Sequence, residues 1–138
     1  MTRVLQDPFE TRETAMRALI VDDSRAMRTI LGQILRSLGF QVVEAGDGSE
    51  GLIRLEETGG ADLALVDWNM PGMNGIDFIR AVRRQPAYDP MRMMMVTTEN
   101  EPEDIALALE EGANEYVMKP FTRSVIAQKL EMMGLQLA

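Results

Sequence analysis

Apolar residues along this chain alternate between two arrangements. Five short runs are almost unbroken: Ala18-Leu19-Ile20-Val21, Gln41-Val42-Val43-Glu44-Ala45, Leu63-Ala64-Leu65-Val66, Met93-Met94-Met95-Val96 and Glu115-Tyr116-Val117-Met118. Such short, near-continuous runs read as strands covered on both faces. Between them the spacing becomes helical. Met27, Ile30, Leu31, Ile34, Leu35 and Leu38 recur at steps of three and four, and Gly39 supplies a C-terminal stop. Asp47-Gly48-Ser49-Glu50 reads as a capping box opening a second helix, Asn74 as the cap of a third, and Pro102 as a first-turn residue of a fourth. Thr122 caps a fifth, with Phe121 placed to staple against Ile126, while Val125, Ile126, Lys129, Leu130 and Met133 form its stripe.

Strand and helix therefore alternate five times, which predicts an α/β fold: a three-layer, doubly wound, five-stranded parallel sheet with right-handed crossovers and five helices. The natural strand order at this size is 2-1-3-4-5. The methionines between 91 and 95, interrupted by Arg92, read as filler for a buried strand. Residues 1–15 are polar and aperiodic, so they form an N-terminal extension to a domain spanning 16–138.

Composition narrows the chemistry. A chain of 138 residues, 46% hydrophobic, suits one domain with one real core. Its net charge of −8 disfavours nucleic acid and anionic membranes and favours a cationic partner or a bound metal. Without Cys or His, any metal must be a hard, oxygen-ligated cation. No stretch approaches the roughly 18 apolar residues of a membrane span, and Asp7, Glu10 and Glu13 exclude a signal peptide's apolar centre, so the expected location is the cytoplasm.

The reactive polar residues fall at the carboxyl ends of the strands. Asp22 and Asp23 follow the first, Asp67 the third, Thr97 ends the fourth and Lys119 the fifth, whereas the second strand ends in Ala45-Gly46 with no reactive group. In the order 2-1-3-4-5 the four reactive strands are neighbours, and ligands of open α/β sheets bind at that edge. Two like charges about 4 Å apart repel by roughly 4 kcal/mol at an effective dielectric of 20, so three carboxylates there demand compensation. Mg²⁺ and Lys119 supply it, Thr97 adds a hydroxyl, and such a set can host phosphoryl transfer to a carboxylate.

Asp22-Asp23-Ser24, Asp67 followed by Met70-Pro71-Gly72-Met73-Asn74-Gly75, Thr97, and Lys119-Pro120-Phe121 together resemble the signature of response-regulator receiver domains. The resemblance implies that Asp67 is the phosphoacceptor, that Asp23, Asp67 and the Asn69 carbonyl ligate Mg²⁺, and that Asp22 assists through water. It further implies that Lys119, Thr97, Thr98 and Asn69 contact the phosphoryl group and that the Lys119-Pro120 bond is cis. Trp68-Asn69-Met70-Pro71, Glu99 and Tyr116 are similar to the single-domain chemotaxis regulators within that family. On that likeness Asn69 and Glu99 modulate the hydrolysing water, and Thr97, Glu99 and Tyr116 form a switch. Thr98 departs from the Ala or Gly of many members, and a β-branched side chain there bears on phosphoryl lifetime.

The implied partners are a sensor histidine kinase and a downstream protein on the face of the fourth helix, fifth strand and fifth helix, with the chain a monomer. Simpler readings exist for each residue taken singly. Asp23 or Ser24 can cap the first helix, Asp67 can end a strand, Lys119 can snorkel, Thr97 suits a strand, Tyr116 can be an ordinary aromatic, and Trp68 reads as an exposed loop residue. Rival functions are a flavodoxin-like electron carrier, whose phosphate loop Asp22-Asp23 would repel, and an aspartyl-phosphate hydrolase, which needs an Asp where Asn69 stands. A degenerate receiver used only for binding is a third.

Overall fold

The computed structural model describes residues 15–138. The N-terminal extension, 1–15, lies outside the described residues except for Ala15. The strands are β1 (Arg17–Val21), β2 (Gln41–Ala45), β3 (Leu63–Val66), β4 (Arg92–Thr97) and β5 (Glu115–Met118). The helices are α1 (Arg25–Ser37), α2 (Gly48–Thr58), α3 (Gly75–Arg83), α4 (Pro102–Glu111) and α5 (Arg123–Met132), and a short 3₁₀ turn, not anticipated, occupies Pro86–Tyr88. All five strands are parallel in the order β2-β1-β3-β4-β5, as the alternation predicts.

Successive side chains of a strand point to opposite faces, and the sheet sorts its apolar residues accordingly. Ala18, Ile20, Leu63, Leu65, Met94 and Val96 face α1 and α5, where Leu31, Leu35, Ile126 and Leu130 cover them. Leu19, Val21, Ala64, Val66, Met93 and Met95 face α2, α3 and α4, meeting Leu55, Phe78, Ile79, Val82 and Ala108. Coverage on both faces holds for β1, β3 and β4 but not at the edges. In β2 only Ala45 is fully buried, and in β5 only Val117, because each outer strand has one neighbour to shield it.

Helix ends follow their caps. Ser24, Asp47, Asn74 and Thr122 each accept a backbone N–H from three residues on. Gly39, at φ 101°, closes α1 in a Schellman arrangement: its N–H donates to Arg36 O and that of Phe40 to Leu35 O. The capping box of α2 is altered, since the Glu50 carboxylate accepts from Gly46 N–H instead of Asp47 N–H. Within the α1 stripe Ile30 turns outward and stays 46% exposed.

One glycine positions the site directly. Gly75 N–H donates to Trp68 O at 2.9 Å, and a Cβ here would collide with the Asp67 carbonyl and lie 3.0 Å from Trp68 Cα. Gly72 has φ 70° but open space around it. Gly75→Ala is therefore expected to destabilise the fold by about 2–3 kcal/mol, against about 1 kcal/mol for Gly72→Ala. Urea unfolding measures both, and equal costs would contradict this account of the turn.

Candidate cation and phosphoryl site

Parallel strands deliver their carboxyl ends to one edge, and there the structure gathers Asp22, Asp23, Asp67 and Lys119. Asp22 is 1% exposed and Asp67 8%. Asp23, one residue further from the sheet, is exposed. One carboxylate oxygen from each of the three lies within 4.8 Å of the others. Lys119 Nζ donates to Asp22 Oδ2 at 3.0 Å and to Asp67 Oδ2 at 3.3 Å. It thereby bridges β5 to β1 and β3.

Each acid has a distinct environment. Asp22 Oδ1 accepts the Ser24 N–H at 2.8 Å, so both its oxygens have partners. Burial is the largest influence on its carboxyl and raises its pKa above the ordinary 3.8, against the lowering effects of the Ser24 N–H and Lys119. Asp23 has no side-chain hydrogen bond to any described residue, which leaves its oxygens to an external ligand. Two buried carboxylates, one open carboxylate and oxygen donors alone fit a hard divalent cation such as Mg²⁺.

The flanking residues fall as follows. Thr97 is wholly buried, and its Oγ1 accepts from Glu99 N–H at 3.4 Å, leaving the hydroxyl proton for another acceptor. Asn69 and Thr98 are exposed in the loops after β3 and β4. Trp68 is half-buried against the core cluster, not an exposed loop residue, because its indole finds apolar cover there. Tyr116 donates its phenol to Glu99 O at 2.8 Å, and burial, with Asp104, Glu99 and Asp67 adding, pushes its pKa up to about 12. The Lys119-Pro120 bond is cis.

Sequence reasoning left out Arg28, Glu44 and Gly75. The second strand does contribute: Ala45 O accepts Asp22 N–H at 3.1 Å, and Glu44 holds Arg28, whose Nη1 donates to Asp22 O at 2.8 Å. A signal was present, since a lone acid inside the run Gln41–Ala45 requires a cationic partner.

Two outcomes follow. Lys119→Met leaves Asp22 and Asp67 buried without their shared cation, so the protein in EDTA is expected to lose about 2–4 kcal/mol, part of it restored by excess Mg²⁺. Denaturant titrations in both conditions check this; a loss unaffected by Mg²⁺ would refute it. Asp22→Asn removes a carboxyl whose folded-state pKa is raised, a group favourable to folding when protonated and unfavourable once pH exceeds that window. In EDTA the variant is expected to be at least as stable as the wild type near neutrality, with the difference shrinking as pH falls toward 3.8. A deficit that is constant with pH would contradict the assignment.

Comparison with known proteins agrees with this geometry. A family model described as response regulator receiver domain matches residues 18–131. The chemotaxis protein CheY of Pseudomonas aeruginosa is 45% identical over 117 residues, covering 84% of this chain and 94% of its own. CheY1 of Helicobacter pylori is 39% identical over 118 residues, covering 85% and 95%. Among solved structures, CheY4 of Vibrio cholerae superposes with TM-score 0.80 at 33% identity, over 86% of this chain and 98% of that one. A CheX–CheY–BeF3–Mg complex from Borrelia burgdorferi gives 0.81 at 27% identity, over 88% and 90%. The matched span holds all five strands' carboxyl ends and the whole acidic cluster, and the chain belongs to the response regulator receiver domain family as a phosphoacceptor response regulator.

Proposed function

We propose that Asp67 accepts a phosphoryl group from a sensor kinase's phosphohistidine, with Mg²⁺ held by Asp23, Asp67 and the Asn69 carbonyl. The observation that carries this reading is Lys119 Nζ lying between Asp22 and Asp67 beside an open third carboxylate. The bound cation would offset negative charge on the carboxylates and on the transferred oxygens. An Asp67 carboxylate oxygen attacks phosphorus as the nitrogen–phosphorus bond breaks, and the histidine leaves as imidazole. Lys119 and the Thr97 hydroxyl hold phosphoryl oxygens, Asn69 and Thr98 flank them, and Asp22 keeps Lys119 oriented. Water later cleaves the acyl phosphate, releasing phosphate and restoring the carboxylate. The chain thus acts as a signalling switch, not a multiple-turnover enzyme. Neither the electron-carrier nor the hydrolase alternative is supported.

The readout surface lies on α4, β5 and α5. A groove of about 460 Å³ there is lined by Ile105, Leu109, Tyr116, Met118, Val125 and Lys129. Leu109 is 45% exposed and Met118 46%, an apolar surface of the kind that marks protein docking. Two nearby cations are already paired with acids, Lys129 with Glu115 and Lys119 with Asp22 and Asp67. Glu101, which precedes α4, and Asp104 within it have no ion pair among the described residues, so the groove suits a partner segment with apolar anchors and a basic flank. The relatives named above are chemotaxis proteins, which supports chemotaxis as the pathway. No helix among the described residues is long and apolar enough to cross a membrane. With net charge −8 we assign a cytoplasmic monomer that binds neither nucleic acid nor membrane.

Acetyl phosphate with Mg²⁺ is expected to add one phosphoryl group, read by intact-mass spectrometry, and Asp67→Asn to abolish the uptake. Undiminished labelling of that variant would overturn the assignment.

A further inference from the structure

We propose that Arg28 is a positioning residue for the cation site, holding the Asp22–Asp23 peptide so that the exposed Asp23 carboxylate points into the cleft. The inference rests on reading the three carboxylates as that site. Its basis is the contrast in how the three acids are held. The Asp22 side chain is fixed by Ser24 N–H and Lys119, and the Asp67 side chain by Lys119. Asp23 has no comparable restraint, so its direction depends on the backbone behind it. That backbone is gripped from β2. Asp22 N–H donates to Ala45 O, and the Asp22 carbonyl, which belongs to the peptide leading into Asp23, accepts from Arg28 Nη1 at 2.8 Å.

Arg28 is itself well anchored. Its Nε donates to Glu44 Oε1 at 3.0 Å, and its side chain is only 19% exposed. Glu44 is steadied in turn, because Arg54 Nε donates to its backbone carbonyl at 3.3 Å while Arg54 also pairs with Glu50. A guanidinium suits this task better than an ammonium, since its planar fork donates in two fixed directions at once, to the carboxylate and to the carbonyl. The edge strand without a reactive residue thus supports the ligand loop from behind. Outer partners of this kind commonly set metal affinity as strongly as the ligands do.

Charge alone predicts the opposite effect, which makes the inference testable. Arg28 is a cation near a cation site, so deleting its charge without losing geometry would tighten Mg²⁺. Removing a positioning group must instead weaken it. In the full chain, titrated with Mg²⁺ and followed by Trp68 fluorescence or calorimetry, Arg28→Met is expected to raise the Kd by roughly tenfold. Arg28→Lys, which keeps the charge but cannot make both bonds, is expected to fall between. In an Asp23→Asn background Arg28→Met is expected to change the Kd little, because the ligand it aims is gone; a purely structural defect would add in full. Urea unfolding in EDTA reports fold damage separately, and if Arg28→Met does not fold, Arg28→Lys carries the comparison. Unchanged or tighter Mg²⁺ binding in the folded variants, or full additivity with Asp23→Asn, would overturn the proposal. Absence of Mg²⁺ binding by the wild type would instead overturn the cation site itself.

Discussion

The arrangement depends on one ammonium group shared by two buried carboxylates. Asp22 and Asp67 belong to neighbouring strands, and without Lys119 between them their burial would leave like charges facing each other in a poorly solvated cleft. Lys119 reaches them only because β5 ends on the same edge as β1 and β3. The parallel topology is thus a requirement of the electrostatics as much as of the core. An antiparallel β5 would send its carboxyl end to the opposite side of the sheet. The third acid, Asp23, is exposed to solvent and lies outside this arrangement.

Most of this was legible in the pattern of the chain. β2, β3 and β5 begin and end where their apolar runs do, because a fully or half-buried strand cannot admit unpaired polar residues without cost. Four of the five helix starts followed from a single capping side chain. What escaped were features that local sequence does not encode. Ile30 obeys the helical period yet faces outward, since period fixes direction only to within one face. Trp68 follows Asp67 in a loop, but the fold packs it against the core cluster of that face of the sheet. Gly75 stood in the motif after Asp67 without an assigned role; only the chain's return past the Asp67 carbonyl shows why a side chain there is excluded. For β2 the lone acid Glu44 signalled a cationic partner, but not which one, because Glu44 and Arg28 lie 16 positions apart and meet through tertiary contact.

The cleft and the apolar groove of Leu109 and Met118 are both built on β5. Lys119 N–H donates to Thr97 O at 2.9 Å, so the two site residues at the ends of β4 and β5 are joined through backbone. Thr97 Oγ1 receives Glu99 N–H, and the carbonyl of Glu99 receives the Tyr116 phenol. Glu99 is therefore held from the cleft on one side and from the groove wall on the other. An acceptor that took the Thr97 hydroxyl proton and drew Oγ1 toward itself would pull on the Glu99 N–H that Oγ1 also receives, and the Tyr116 bond would feel the resulting shift of that loop.

The chemistry of Tyr116 decides what can drive such a shift. With its pKa near 12 the phenol remains a donor across the physiological range, so the link to Glu99 does not respond to pH. Asp67, with Asp104 and Glu99, is among the charges that raise that pKa. Phosphorylation of Asp67 would add about −1.5 to −2 charges there. The link from Tyr116 to Glu99 is thus insensitive to acidity, because the phenol is held in its neutral, donating form.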